Sequence, residues 1–119
     1  MRIILPWPDS KLSPNARCHW RAKAPAKAKA RSDAAYATYD AMPHGAREVR
    51  DVYAGAHPIP VQVYFYPPDK RHRDDDNMIS LLKAGRDGIA DALAVNDRRF
   101  RTEYYFCEPC KPGRIEVVL

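Results

Sequence analysis

The sequence predicts a small α+β domain in which helices pack on a mixed β-sheet. Three observations lead to this class. Four short segments have strand character, and two longer segments have helix character. They alternate along the chain in the order β-α-β-α-β-β. The length of 119 residues is enough for one modest core and not for two, so we expect a single domain over residues 1–119.

The first half of the chain predicts one strand, one basic helix and one long loop. Residues 2–5 (RIIL) form a strand candidate, which the following prolines stop. Pro25 suits the first turn of a helix, and the alanine-rich stretch after it predicts a helix to about Met42. Residues 43–60 contain three prolines, two glycines and little periodicity, and we expect a loop there.

The second half predicts three more strands and the longest helix. Residues 61–66 (VQVYFY) alternate between apolar and polar positions, and two prolines end this strand. A helical pattern covers residues 76–94. Residues 100–107 (FRTEYYFC) and 114–119 (RIEVVL) predict two further strands, joined by the turn EPCKPG.

The predicted long helix has an apolar face and a charged face. If each residue turns the helix by ~100°, five apolar residues fall within about 80° of one another around the helix axis and form one stripe. Its members are Met78, Leu82, Gly85, Ile89 and Leu93. Asp76, Lys83 and Asp87 gather roughly 140° away from the stripe. This polar face fits a functional site, and it equally fits a solvated surface with a Lys–Asp pair one turn apart.

The charge balance favours a polyanionic partner, with nucleic acid foremost. The chain has 20 Lys+Arg and 15 Asp+Glu, a formal net charge of +5. Residues 11–31 contain seven basic residues and no acid, so this segment is either a solvated helix face or a surface that faces a polyanion. From this segment we predict Lys23, Lys27 and Lys29 as DNA-binding residues.

The composition also indicates the cellular compartment and allows a zinc site to be considered. No apolar run approaches the ~20 residues that span a bilayer, so we expect a cytoplasmic protein with no membrane partner. An odd number of cysteines agrees with a reducing compartment. Cys107 and Cys110 form a CxxC motif that Cys18 and His19 could complete as a zinc site. A second CxxC pair is missing, and the sequence favours thiols without a metal.

Three consecutive aspartates are the most unusual feature of the sequence. Asp74, Asp75 and Asp76 stand directly before the predicted long helix, where one acid would be enough for capping. Like charges ~4–6 Å apart raise one another's pKa unless a cation lies between them. Neighbouring basic side chains could supply that cation, and so could Mg²⁺. In an extended segment Asp74 and Asp76 would face the same way, and Asp97 could join them after the helix.

Basic residues flank these acids on both sides. They are predicted to hold DNA phosphates around a metal-binding acidic centre, which is the electrostatic arrangement that a nuclease needs. The predicted DNA-binding residues of this rim are Lys70, Arg71, Arg73, Arg98 and Arg99.

The motifs together resemble the RusA-type Holliday junction resolvases. The similar elements are PPDKRHRDDDN, a Lys-x-x-x-Asp helix, ALAVND with the basic RRF after it, and the opening LPWPDSKLSPNAR. They cover nearly the whole chain. The resemblance implies a RusA-like fold, a homodimer and Mg²⁺-dependent cleavage of four-way DNA junctions.

The resemblance also implies roles for individual residues. Asp74, Asp76 and Asp97 match the essential acids and metal ligands, and Lys83 matches the catalytic lysine. Asp87 matches a further acidic position of the family. The spacing departs from the family pattern. In some members the lysine follows the aspartate motif by about one helical turn, whereas here Lys83 lies seven residues after Asp76. Two other interpretations stay open: a related carboxylate nuclease that acts on other branched DNA, and a DNA-binding module without catalysis.

Overall fold

The core of the molecule is a four-stranded mixed sheet that carries its helices on one face. In the computed structural model, which describes residues 1–119, the sheet has the order β1-β4-β2-β3. β2 and β3 are parallel, and the other neighbours are antiparallel. The predicted α+β class and the mixed sheet are confirmed. The strands are β1 (Arg2–Pro6), β2 (Ile59–Tyr66), β3 (Phe100–Phe106) and β4 (Arg114–Val118).

Four α-helices connect these strands. Two precede β2 and two precede β3, so the order along the chain is β-α-α-β-α-α-β-β. A single 3₁₀ turn lies before the first helix and another before β3, at Ser10–Leu12 and Asp97–Arg99. The helices are α1 (Trp20–Ala41), α2 (Ala46–Val52), α3 (Asp75–Leu81) and α4 (Lys83–Leu93).

The alternation in β2 determines which face of the sheet is buried. Val61, Val63 and Phe65 are buried as predicted, and Phe65 is fully inaccessible. Ile3 of β1 and Ile115 of β4 are fully buried on the same face. Because side chains alternate across a strand, the other face of β2 remains more accessible.

The start of the first helix was predicted wrongly. α1 begins at Trp20, with His19 as its N-cap, and Pro25 lies in its second turn. The Nδ1 atom of His19 accepts a hydrogen bond from the amide of Arg21 at 3.2 Å. Proline is most frequent in the first helical turn, and histidine is a less common cap than Ser, Asp or Asn, so the sequence signals favoured a later start.

The predicted loop over residues 43–60 contains the helix α2, so that prediction was wrong in part. α2 has seven residues, which is too short to be stable alone, and its stability comes from packing. Val49 is buried in the core, and the Nε atom of Arg50 donates to the carbonyl of Ala92 at the end of α4 (3.1 Å).

The predicted helix over residues 76–94 is two helices, α3 and α4, that meet at Leu82. The amide of Leu82 donates to the carbonyl of Ile79, three residues earlier, at 3.1 Å. An α-helix bonds each amide to the residue four positions earlier, so the chain is wound more tightly here, as in a 3₁₀ turn. The apolar stripe predicted for this segment is buried throughout, which confirms the assignment of its faces.

α1 and α4 cross at very short range. A Cβ atom built on Gly88 would lie 2.1 Å from the carbonyl oxygen of Arg31, so only glycine fits at this crossing. Arg31 also forms two hydrogen bonds with Asp91 of α4, from Nε at 2.6 Å and from a terminal nitrogen at 2.8 Å. None of the helices has both the length and the apolar character needed to cross a bilayer.

Candidate nucleic-acid groove and lysine–carboxylate cluster

An open groove of about 870 Å³ is lined by part of α1 and by the α3–α4 segment. Its charged side chains come from both walls, and five are basic while one is acidic. Leu12, Pro14 and Tyr104 contribute apolar lining. The groove has more basic than acidic lining residues, and of the basic ones Arg31, Lys83 and Arg86 are each within reach of a carboxylate, at Asp91, Asp87 or Asp97. The charged residues that line it are Lys23, Lys27, Arg31, Lys83, Arg86 and Asp87.

The helical period of α1 explains which basic residues reach the groove. Lys23, Lys27 and Arg31 are four residues apart, and a rotation of ~100° per residue keeps them within about 80° of one face. Lys29 lies roughly 240° from Lys23, on another side of the helix. There it pairs with Asp33 at 2.5 Å and lines a separate cavity of about 360 Å³. The three predicted lysines are thus divided between two faces.

Lys83 lies between two carboxylates at the start of α4. Its Nζ atom is 2.9 Å from Oδ1 of Asp87 and 3.2 Å from Oδ2 of Asp97. The hydrogen bond to Asp87, with that to Asp97, raises the pKa of Lys83. The hydrogen bond from Lys83, with the charge of the same ammonium, lowers the pKa of Asp97. The lysine is therefore charged and Asp97 ionised at neutral pH, and the Lys83 side chain is 64% exposed.

Arg86 holds Asp97 from the other side. A terminal nitrogen of its guanidinium donates to the carbonyl of Asp97 at 3.0 Å, and the guanidinium carbon lies 5.6 Å from the ring centre of Phe100. The Nε atom of Arg86 is buried and has no hydrogen-bond partner. Arg86 and Arg31 were not among the predicted site residues. Their positions one turn after Lys83 and Lys27 were the available signal.

The three consecutive acids lie at the start of α3, apart from the Lys83 cluster. Asp74 is 3.2 Å from Nε2 of His72, and Asp75 and Asp76 are exposed. Asp76 belongs to α3 and Lys83 to α4, and the two helices meet at Leu82. No group of three or more His, Cys, Asp or Glu side chains is close enough to hold a metal ion. The structure thus does not bring Asp74 and Asp76 together with Asp97, and the metal site stays a prediction.

The basic residues before α3 divide into exposed and structural ones. Lys70 and Arg71 are exposed and available to a polyanion. The side chain of Arg73 is only 12% exposed, forms an ion pair with Asp69 at 2.9 Å and lies over the ring of Trp7. This pair lowers the pKa of Asp69. Arg73 therefore stabilises the loop before α3 in this structure.

The basic residues after α4 divide in the same way. Arg98 is exposed, whereas Arg99 donates to the carbonyls of Tyr53 at 2.7 Å and His57 at 2.9 Å. Arg99 thus connects the second 3₁₀ turn to the chain segment after α2.

The three cysteines are free thiols. The amide of Cys107 donates to the carbonyl of Phe65 (2.9 Å), and the amide of Cys110 donates to the carbonyl of Pro67 (2.8 Å). The first bond continues the pairing with β2 past the end of β3, and the second ties the following turn to the residue after β2. Cys107 and Cys110 thus contribute to the fold through their backbone amides.

Comparison with known proteins does not assign the chain to a family. No protein-family model matches the chain. An uncharacterized protein of Xylella fastidiosa (strain Temecula1 / ATCC 700964) is 43% identical over 98 residues, which are 82% of this chain and 61% of the relative. The chain therefore spans less than two thirds of the length of the relative that it matches.

Proposed function

We propose that the protein is a Mg²⁺-dependent endonuclease that cleaves branched DNA, with the four-way junction as its substrate. The observation that supports this most is the basic groove between α1 and the α3–α4 segment, which has Lys83 and Asp87 in its wall. A groove with an excess of basic side chains, of which Lys23 and Lys27 form no ion pair, attracts phosphates, and the lysine–carboxylate cluster supplies groups for phosphodiester chemistry.

The spacing of the basic residues on α1 suits a nucleic-acid backbone. Lys23 and Lys27 follow one another at about 6 Å of helical rise, whereas Arg31, one turn further along, is engaged with Asp91. One DNA strand advances about 3.4 Å along its axis per phosphate, so the two lysines are spaced for phosphates about two steps apart. A single small anion would need only one of these side chains, which favours a polymer.

Lys83 has the properties of a group that stabilises a developing negative charge. Its pKa is raised, so its ammonium stays protonated at neutral pH, and its two carboxylate partners hold it at the groove. A lysine in this position donates to a phosphate oxygen or to the leaving oxygen as the bond breaks. Asp97, with a lowered pKa, stays ionised and keeps the ammonium oriented.

Asp74, Asp76 and Asp97 are the residues that would hold Mg²⁺. Carboxylate oxygens are the ligands that Mg²⁺ prefers, and these side chains are open to solvent, with Asp74 70% and Asp97 29% exposed. In donor type the residues fit the ion, although in this structure Asp97 is paired with Lys83 and the three side chains are not grouped closely enough to hold one ion. Bound Mg²⁺ supplies Lewis-acid activation of water and of the phosphodiester.

A homodimer belongs to this proposal, because resolving a four-way junction requires two symmetrical cuts. The subunit mass is 13.6 kDa. Light scattering in the presence and absence of junction DNA measures whether the active species contains two chains.

The proposal is tested by cleavage of a synthetic four-way junction, compared with linear duplex and flap DNA of the same arm sequences. We expect cleavage that requires Mg²⁺ and selects the junction. Asp74→Asn and Asp97→Asn should each abolish cleavage while binding is kept or tightened, because one negative charge facing the phosphates is removed. Asp51→Asn, at an exposed position of α2 outside the groove lining, is the matched control.

Each other outcome points to a different function. Preferential cleavage of flap DNA would favour a related carboxylate nuclease. Binding without cleavage in any divalent cation would favour a DNA-binding module. An equal loss of binding and cleavage in both folded Asp→Asn variants would contradict the catalytic assignment.

A further inference from the structure

A tryptophan at the start of α1 is mostly exposed to solvent. Trp20 is 67% accessible and lies outside the hydrophobic core. The other tryptophan, Trp7, is partly buried and packs edge-on against Phe65 with ring centres 6.4 Å apart. The fold therefore uses Trp7 for packing and leaves Trp20 available for contact with another molecule.

Trp20 lies on the groove face of α1. Taking ~100° per residue, Trp20, Lys23 and Lys27 fall within about 60° of one another, and Arg31 extends the same stripe. Both lysines and Arg31 line the groove. Trp20 comes one turn before Lys23, at about 4.5 Å of rise, so an aromatic ring continues the line of cations at one end.

The side chains nearest to the Trp20 ring include those of its two neighbours in the chain. The ring of His19 lies 5.5 Å from the Trp20 ring at an angle of 36°, and the guanidinium carbon of Arg21 lies 5.5 Å from its centre. The hydrogen bond from the Arg21 amide to Nδ1 of His19 joins the two neighbours. An exposed ring next to a guanidinium is a combination on which nucleobases stack.

We infer that Trp20 stacks on an unpaired nucleobase of the strand whose phosphates contact Lys23 and Lys27. This inference rests on the proposed function, and it specifies that the four-way junction, whose bases are all paired when it is free, is bound with a base opened from its partner at the branch point. Bases within an intact duplex are stacked on each other and offer no free face to a protein ring. A strand that leaves the duplex at a branch exposes such a face.

Binding measurements with two DNA molecules test the inference. One is a duplex with a short single-stranded gap, and the other is the fully paired duplex of the same length. Trp20→Ala should weaken binding to the gapped DNA by roughly 5- to 100-fold, and binding to the paired duplex by less than about twofold. Trp20→Phe should restore most of the affinity, because it keeps an aromatic face.

Tyr36→Ala is the matched control for an exposed aromatic residue of the same helix. Tyr36 is 68% exposed, and it lies roughly 160° around α1 from Trp20, away from the groove. This variant should bind both DNA molecules as the wild type does. Circular dichroism confirms that each variant is folded, which we expect because both positions are exposed.

The double variant Lys23→Ala/Lys27→Ala separates failure of the inference from failure of the proposed function. If it weakens binding to both DNA molecules while Trp20→Ala affects them equally or not at all, the groove binds DNA and the stacking inference is overturned. If the lysine variant changes neither affinity, the groove does not bind DNA, and the proposed function and the inference fail together.

Tryptophan fluorescence gives a direct readout. Adding a single-stranded oligothymidine should quench the emission of the wild type, and Trp20→Phe should remove this quenching. Quenching that persists in Trp20→Phe comes from Trp7 and would overturn the inference.

Discussion

At the scale of single residues, Lys83 is the predicted site residue with the best-defined contacts. Its ammonium lies between the carboxylates of Asp87 and Asp97. The sequence predicted the pair with Asp87, because four residues on a helix bring two side chains together. The contact with Asp97 depends on the path that the chain takes after α4, and no local sequence pattern predicts that path.

The first prediction concerns Lys83. Replacing it with alanine should lower the rate of junction cleavage by roughly 10²- to 10³-fold, the cost of removing one donor to a developing negative charge. Lys83→Arg should rescue little, because a planar guanidinium does not replace a compact ammonium. Single-turnover rates at saturating protein measure the chemical step apart from binding.

Lys29→Ala is the matched control for Lys83→Ala. Lys29 also pairs with an aspartate four residues later, but it lies outside the groove, so this variant should cleave at the wild-type rate. A wild-type rate for Lys83→Ala would move the catalytic role elsewhere. Lys70 would then be the next candidate, because it is exposed and Arg73 is already engaged with Asp69.

At the scale of secondary structure, the crossing of α1 and α4 determines the shape of the groove. The second prediction is that Gly88→Ala destabilises the fold by about 3 kcal/mol or more. Its new Cβ would lie 2.1 Å from the backbone oxygen of Arg31, and the helices would have to separate. Thermal or urea unfolding measures the loss.

Gly85→Ala is the control for this crossing. A Cβ atom there would meet side-chain carbons of Leu5 and Leu82 at 3.4 Å, so the neighbours need to shift little. The gain in helix propensity, about 1 kcal/mol, offsets that small adjustment. An equal loss of stability in both variants would show that the close approach at Gly88 is not what limits the crossing.

The third prediction concerns the ion pair between the same two helices. The hydrogen bond from Arg31, with its charge, lowers the pKa of Asp91. A lowered carboxyl pKa stabilises the fold above the ordinary aspartate value of about 3.9, and this contribution disappears as the pH falls through the lowered pKa. Asp91→Asn should therefore be less stable than the wild type at neutral pH and equally stable in strong acid.

The exposure of Arg31 and Asp91 determines how large this pH effect should be. Both side chains are about half exposed, so solvent screens the pair and the difference should be small. Urea unfolding of both proteins across the acid range measures it. A stability difference that stays constant down to the lowest pH would mean that the substitution acts through packing and not through charge.

The secondary structure shows which elements sequence reasoning can find. The buried stripe of α3 and α4 and the alternation of β2 were predicted because a core face leaves a periodic pattern. α2 was missed because its stability depends on Val49 and Arg50 meeting the rest of the fold. The groove could be predicted only in part, since periodicity assigns Lys23 and Lys27 to one face but does not say which helix lies opposite.

At the scale of the whole molecule, the position of the positive charges should matter more for DNA binding than the net charge. The chain carries a net charge of +5, and any basic surface would attract DNA to some degree. The proposal requires that the phosphates contact the groove and not the molecule at large. Counterion release distinguishes these cases, because the salt dependence of binding counts the phosphates that are neutralised.

The last prediction compares two double variants of equal net charge. Lys23→Ala/Lys27→Ala and Lys29→Ala/Lys111→Ala each remove two of the five net positive charges and leave +3. Lys23 and Lys27 line the groove, whereas Lys29 and Lys111 are exposed outside it. Each lost phosphate contact lowers the slope of log K against log salt by ~0.9, so the groove variant should lose up to about 1.8. The control variant should keep the wild-type slope, and titrations at several salt concentrations measure both. Equal slopes in the two variants would mean that DNA responds to the total charge of the protein, and the groove would lose its assignment as the DNA-binding surface.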